Sequence, residues 1–290
     1  MSERYVAKLE RALRERGTPR RVRDRFVAET RDHLLEAKTA RRPLEFGDPA
    51  ALAQQVVDEL ASTHARGTAV VAALALAPAA VLYALLFLLG GAAGGSPDIF
   101  SGKSRFLALP AALTLAIAPQ ISLAAGVLAL LRTLRRRRAP VLPQAEVRLV
   151  VRRAATALVF GAATVGALAA YGYEYEAGLV WWWRDIALAA PAALAVPLAA
   201  AAVAARRTAK LRPAAPGEAG DVFTDLPEAR LVADTPWRLC LLFAGAVAVL
   251  AFARGAVGGA ADEGLRNAVA ELLAVTTSFA ALGRFLGLRT

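Results

Sequence analysis

Phe106–Arg138 reads FLALPAALTLAIAPQISLAAGVLALLRTLRRRR. Residues 106–131 carry no charge, and five arginines follow at Arg132 and Arg135–Arg138. A bilayer core ~30 Å thick takes about 20 apolar residues of helix to cross, so this stretch is long enough to span. The arginine block gives its direction, because Lys and Arg are retained on the cytoplasmic side. A span with a marked cytoplasmic end is the unit from which the rest of the chain can be read.

Outward from this stretch, five more apolar runs fit the same description. The six spans fall at about 68–91, 106–131, 154–171, 185–205, 237–257 and 265–288. The predicted fold class is all-α: a polytopic membrane protein with about six transmembrane helices (67–290) after a small N-terminal cytoplasmic helical bundle (1–66). Composition agrees: 57% of the 290 residues are hydrophobic, against about 45–50% apolar in soluble chains.

Charge tests the topology. Fourteen Lys/Arg precede the first span, eight lie at 132–153, six at 206–238, and two (Arg284 and Arg289) near the C-terminus. The remaining five are Lys103, Arg105, Arg184, Arg254 and Arg266. Alternation holds at every loop with both termini cytoplasmic, as expected for a multi-pass protein of the cell's inner (cytoplasmic) membrane. The net charge of +11 would suggest nucleic acid in a soluble protein. Here it flanks apolar runs, and no nucleic-acid partner is expected.

Residues 1–66 read as three amphipathic helices. Tyr5, Leu9 and Leu13, with Val6 and Ala12, recur at helical spacing, and Gly17 supplies a stop. Thr18-Pro19 and Asp48-Pro49 are cap-plus-proline starts. Val22, Phe26, Thr30, His33 and Ala37 are placed on one face of the second helix, with His33 read as a core residue. Leu52, Val56 and Leu60, with Ala53 and Val57, form the third face. Phe26, His33, Phe46, Asp48, Pro49 and Leu52 are the candidate bundle-core or partner-docking residues. Densely charged Met1–Arg42 leaves no stretch for a cleavable signal.

The membrane part offers weaker leads. Tyr171, Tyr173 and Tyr175, then Trp181–Trp183, read as an outer aromatic belt. Gly161, Ala162, Gly166 and Ala170 have small-residue spacing that lets helices approach. Five prolines (78, 110, 119, 191 and 197) fall inside spans and predict kinks. Residues 213–235 read as a cytoplasmic loop rich in Pro and acidic residues. Arg254 and Glu271 are intramembrane ionisable residues, functional candidates by default. They either pair in an outward-facing cavity, or Arg254 snorkels while Glu271 faces its helix neighbours. Arg135, Arg136, Arg137 and Arg138 are candidates for anionic lipid, at about 1 kcal/mol each.

Enzyme chemistry finds little footing. The chain has no P-loop, HExxH, CxxC or GxSxG pattern, its only histidines are His33 and His64, and Cys240 is its single cysteine. No cofactor, metal or catalytic residue is expected.

One resemblance is carried by the N-terminal region. Tyr5–Leu9, Phe26–Leu34 and Phe46-Gly47-Asp48-Pro49-Ala50-Ala51-Leu52-Ala53 resemble the bacterial permease-prefix, or HAAS-type, domain. That domain is a small cytoplasmic helical module preceding membrane helices in proteins often encoded beside PadR-like regulators. The resemblance covers residues 4–61, departs from the pattern between Leu35 and Phe46, and supplies no catalytic residues. The small bundle with leftover surface charge is suited to docking, and the leading expectation is a non-enzymatic integral membrane protein whose prefix docks a partner protein, in envelope-linked signalling or regulation. The alternative is a permease or transporter membrane subunit working with a separate ATPase.

Overall fold

The computed structural model describes residues 2–39, 47–92, 105–174, 181–220, 222–257 and 261–286. Phe46, residues 93–104 and 258–260, Tyr175 and the last four residues lie outside the described residues. The chain is an all-α, multi-pass membrane protein. The described residues hold α1 (Ser2–Glu15), α2 (Arg20–Thr39), α3 (Pro49–Ala92), α4 (Arg105–Arg135) and α5 (Gln144–Glu174). They continue with α6 (Trp181–Ala209), the single turn α7 (Val222–Asp225), a 3₁₀ turn (Pro227–Leu231), α8 (Pro236–Val257) and α9 (Ala261–Leu286). No strand occurs among them. Six helices (α3, α4, α5, α6, α8 and α9) are long and apolar enough to cross a membrane.

Helix starts follow the proline signals. Pro49 opens α3, where the Asp48 carbonyl accepts from the Leu52 N–H, and the Pro19 carbonyl accepts from Arg23 N–H at the head of α2. Gly17 ends α1 at φ +79°. Around it the Thr18 N–H donates to the Leu13 carbonyl and the Gly17 N–H to that of Arg14, the paired bonds of a Schellman stop. α3, α4 and α6 run through all five intramembrane prolines without a break.

The N-terminal bundle has its own core of Val6, Leu9, Leu13, Val27, Leu34, Ala53 and Val57, with Tyr5, Ala12, Phe26 and Leu52 packed on it. The face of α2 corrects the expectation. Val27, Thr30 and Leu34 turn inward, while the His33 side chain is 71% exposed beside Glu36. Leu34 is the better core residue because it leaves no polar atom to satisfy. α3 leaves this bundle and continues as the first apolar span, so one helix of 44 residues joins the two parts with no linker.

The main core draws on six helices: Ala72 and Leu76 of α3, Ile121 and Ala125 of α4, Ala154 and Ala157 of α5, Ala201 of α6, Val222 and Phe223 of α7, and Leu282 of α9. Gly161 is required at the α3–α4–α5 crossing, where a Cβ would collide with Leu76 and stand 3.1 Å from Ser122 Oγ. Gly166 faces open space instead. The tryptophans divide as well: Trp181 is 72% exposed, but Trp183 is buried against Leu168 and Ala187, 5.8 Å from the Tyr171 ring. Trp183 is therefore core rather than belt.

Candidate functional site

The most concentrated chemistry lies where α4 ends, α5 begins and the segment after α6 folds back. The α4–α5 hairpin, tightened by Arg136 and Ala139 N–H bonds to the Arg132 and Arg136 carbonyls, sets Arg132 beside the first turns of α5. Arg153 occupies the same inward face of α5 as Val150, Ala154 and Ala157. Into this gap α7 carries Val222 and Phe223, which join the main core, and then Asp225.

Asp225 is fully buried between the two arginines. Its Oδ1 accepts from Arg132 Nε, and its Oδ2 accepts from Arg153 Nη1 at 2.7 Å. Arg132 also donates from Nη2 to the Gly220 carbonyl (3.0 Å) and from Nη1 to Glu146 Oε1 (3.4 Å). Arg153 Nη1 reaches the Leu128 carbonyl at 3.3 Å. Glu146 is buried in the first turn of α5, and Arg136 closes on its Oε1 at 3.1 Å. Glu146 Oε2 meets no donor among the described residues. Two buried guanidinium groups thus face two buried carboxylates. Each ion costs several kcal/mol to remove from water, so such a set persists only when its members answer one another.

The segment bearing Asp225 is clasped along its length. Arg212 N–H donates to the Arg16 carbonyl (3.0 Å), and Ala214 N–H to Asp58 Oδ1 of α3 (2.6 Å). The Ala215 carbonyl accepts from Gln144 N–H (2.9 Å). Gly217, at φ +139°, leaves no room for a Cβ, which would stand 2.7 Å from Pro143. Gly17 likewise lies against the Lys210 carbonyl, where a Cβ would collide. Ser62 Oγ accepts from Leu142 N–H (2.8 Å), and the Arg66 guanidinium donates to the Arg136 and Ala139 carbonyls. Residues 210–225 therefore touch the N-terminal bundle at one end and the buried ions at the other.

The candidate residues scatter over the structure. Arg135 Nη2 donates to both carboxylate oxygens of Glu228 (2.8 and 3.0 Å), which holds the Glu228 carboxyl below its ordinary range. Arg136 serves Glu146, and Arg137 and Arg138 are exposed. Phe26, Pro49 and Leu52 are half-buried and Asp48 is exposed. The Tyr5 hydroxyl donates to the Gly47 carbonyl (3.1 Å); burial, then the Asp48 charge, pushes its phenol above the ordinary value. The side chain of Arg254 lies outside the described residues. Glu271 takes a hydrogen bond from α4, Gln120 Nε2 to Oε2 at 3.2 Å, and Ser278 Oγ stands 3.4 Å from Gln120 Oε1.

Sequence reading missed Arg132, Arg153, Glu146 and Asp225. The arginines belong to runs that a topology rule absorbs whole, so their inward register was hidden. The available signal was weak: Val222-Phe223 is an apolar pair in the loop, but so is Leu231-Val232, which is exposed. Compared with family models, with curated proteins and with solved structures, the chain finds no match in any of the three. Its own geometry carries the functional reading.

Proposed function

We propose that this chain is a non-enzymatic membrane protein of the bacterial inner membrane, with both termini cytoplasmic. In this reading its N-terminal bundle docks a partner protein in envelope-linked signalling or regulation. The observation that carries it is the segment 210–225, bonded at once to Arg16 and Asp58 of the bundle and, through Asp225, to Arg132 and Arg153 between the spans. A partner pressing on the bundle would act directly on the membrane helices. The outward face of α2, with Arg21, Arg25 and Glu29 exposed, is the docking surface. The resemblance of residues 4–61 to the permease-prefix type supports a cytoplasmic helical module placed before the spans, and basic residues gathered at the bundle end support the orientation.

A second reading, a transporter membrane subunit working with a separate ATPase, is favoured by Gln120 and Glu271 meeting midway along α4 and α9. One experiment separates the two. The full chain is purified in mild detergent with its bound proteins, beside an Arg21→Glu/Arg25→Glu variant and an Arg206→Glu/Arg207→Glu control. A protein lost only from the α2 variant supports docking. An ATPase retained by all three supports the transporter. No protein dependent on α2 refutes the first reading.

A further inference from the structure

A groove of about 380 Å³ runs between α3, α4 and α5, within the size range of small-molecule sites. Ala77 and Ala80 of α3 and Leu123 and Val127 of α4 form its exposed walls, while buried Leu76 and Gly161 form its floor. The walls are open on the outer side of spans, where the solvent is lipid. Polar groups along it are already engaged: Ser122 Oγ donates to the Ala157 carbonyl, Thr164 Oγ1 to that of Phe160, the Tyr83 hydroxyl to that of Leu115, and Gln120 Nε2 to Glu271 Oε2. The groove therefore asks for hydrocarbon along its length and for no polar partner at mid-depth.

Its arginine-rich end is different. Leu123, Val127 and Leu130 line the groove along α4, and α4 ends five residues further on at Arg135, with Arg136–Arg138 in the turn that follows. The turn holds there, with the Arg137 N–H donating to the Leu134 carbonyl at 3.3 Å. Arg137 and Arg138 are exposed and in no ion pair among the described residues, unlike Arg135 and Arg136. On α3, Arg66 lies seven residues before groove-lining Ala73 and bridges to the end of α4. Its buried Nε–H meets no acceptor among the described residues. Hydrocarbon-lined depth and a cationic mouth at headgroup level are the two halves of one ligand.

We propose that this groove binds an anionic phospholipid, one acyl chain lying between α3 and α4 and the phosphate resting by Arg137 and Arg138. The site narrows the lipid-binding surface from a block of four arginines to two, because Arg135 and Arg136 are committed to Glu228 and Glu146. It is independent of the docking reading, since it involves neither α2 nor a protein partner.

The test uses the full chain in phosphatidylcholine nanodiscs with a trace of phosphatidylglycerol bearing a photoactivatable group midway along one chain. After irradiation, label should concentrate on peptides of residues 73–84 and 119–130, several-fold above the lipid-exposed faces of α6 and α8. Arg137→Gln/Arg138→Gln, exposed and so without consequence for folding, should lower that labelling on the order of tenfold. The same variant should leave labelling by a phosphatidylcholine probe unchanged. Ala80→Leu/Val127→Phe, which fills the groove from its exposed walls, should abolish the enrichment for the anionic probe. Excess soluble glycerol phosphate should not compete. Even labelling of all lipid-facing helices, equal labelling by both probes, or displacement by glycerol phosphate would each overturn the proposal.

Discussion

The end of the spans near the N-terminal bundle and the α8–α9 hairpin are built on opposite principles. At the first, α4, α5, α7 and the segment from Lys210 meet around four buried charged side chains, and N–H groups of that segment donate to the Arg16 carbonyl just past α1 and to the Asp58 carboxylate of α3. At the second, α8 packs on α9 and α9 packs on α4, with Leu241, Phe243, Val249 and Leu250 left exposed. In a bilayer the hydrophobic effect does not draw helices together, because lipid tails are as apolar as leucine. What distinguishes the two regions is polar: ion pairs and hydrogen bonds on one side, the Gln120–Glu271 contact on the other. The specificity of this fold is concentrated where spans meet water.

That contrast breaks most readily at Asp225. Asp225→Asn leaves Arg132 and Arg153 buried against a neutral amide, and should cost about 3–5 kcal/mol, read as a large fall in detergent melting temperature. Next is the junction with the bundle. Gly17→Ala meets both a left-handed backbone and the Lys210 carbonyl, and should cost about 2 kcal/mol. Within the spans, Gly161→Ala should cost about 1–3 kcal/mol by overpacking against Leu76, whereas Gly166→Ala, facing open space, should be neutral or slightly stabilising. If both glycines respond alike, spacing alone rather than the α3–α4–α5 crossing governs packing.

In the hairpin the expected effects shrink. A double-mutant cycle of Gln120→Ala and Glu271→Gln should return a coupling of about 0.6 kcal/mol. A coupling several times larger would place a second clamp there. The smallest effect belongs to Arg135 and Glu228. Arg135 lowers the Glu228 carboxyl's pKa, so the pair contributes above the ordinary glutamate range and is lost as pH falls through the lowered value. Glu228→Gln should therefore differ slightly from the parent at neutral pH and not at all in strong acid, as melting curves across pH would register.

The all-α class and the six spans were legible because hydrophobic length and flanking arginines are strong, local signals. Pro49 and Gly17 marked a helix start and stop for equally local reasons. What stayed hidden depended on register and distance. His33 and Leu34 differ by one position on a helix that packs on only one side, so composition could not choose between them. Asp225 lies 93 residues from Arg132, and a rule that reads arginines as topology cannot tell an inward one from an outward one. Intramembrane position drew attention to Arg254 and Glu271, while the buried ions sat at span ends.

The central claim is that residues 210–225 couple the N-terminal bundle to the membrane helices through the buried ions. Hydrogen exchange on the full chain in nanodiscs, parent against Asp225→Asn, tests it most directly. The account predicts lost protection not only at 220–228 but also at 211–217 and at the C-terminal turn of α1. Faster exchange confined to 220–228, with α1 and residues 211–217 unchanged, would contradict it.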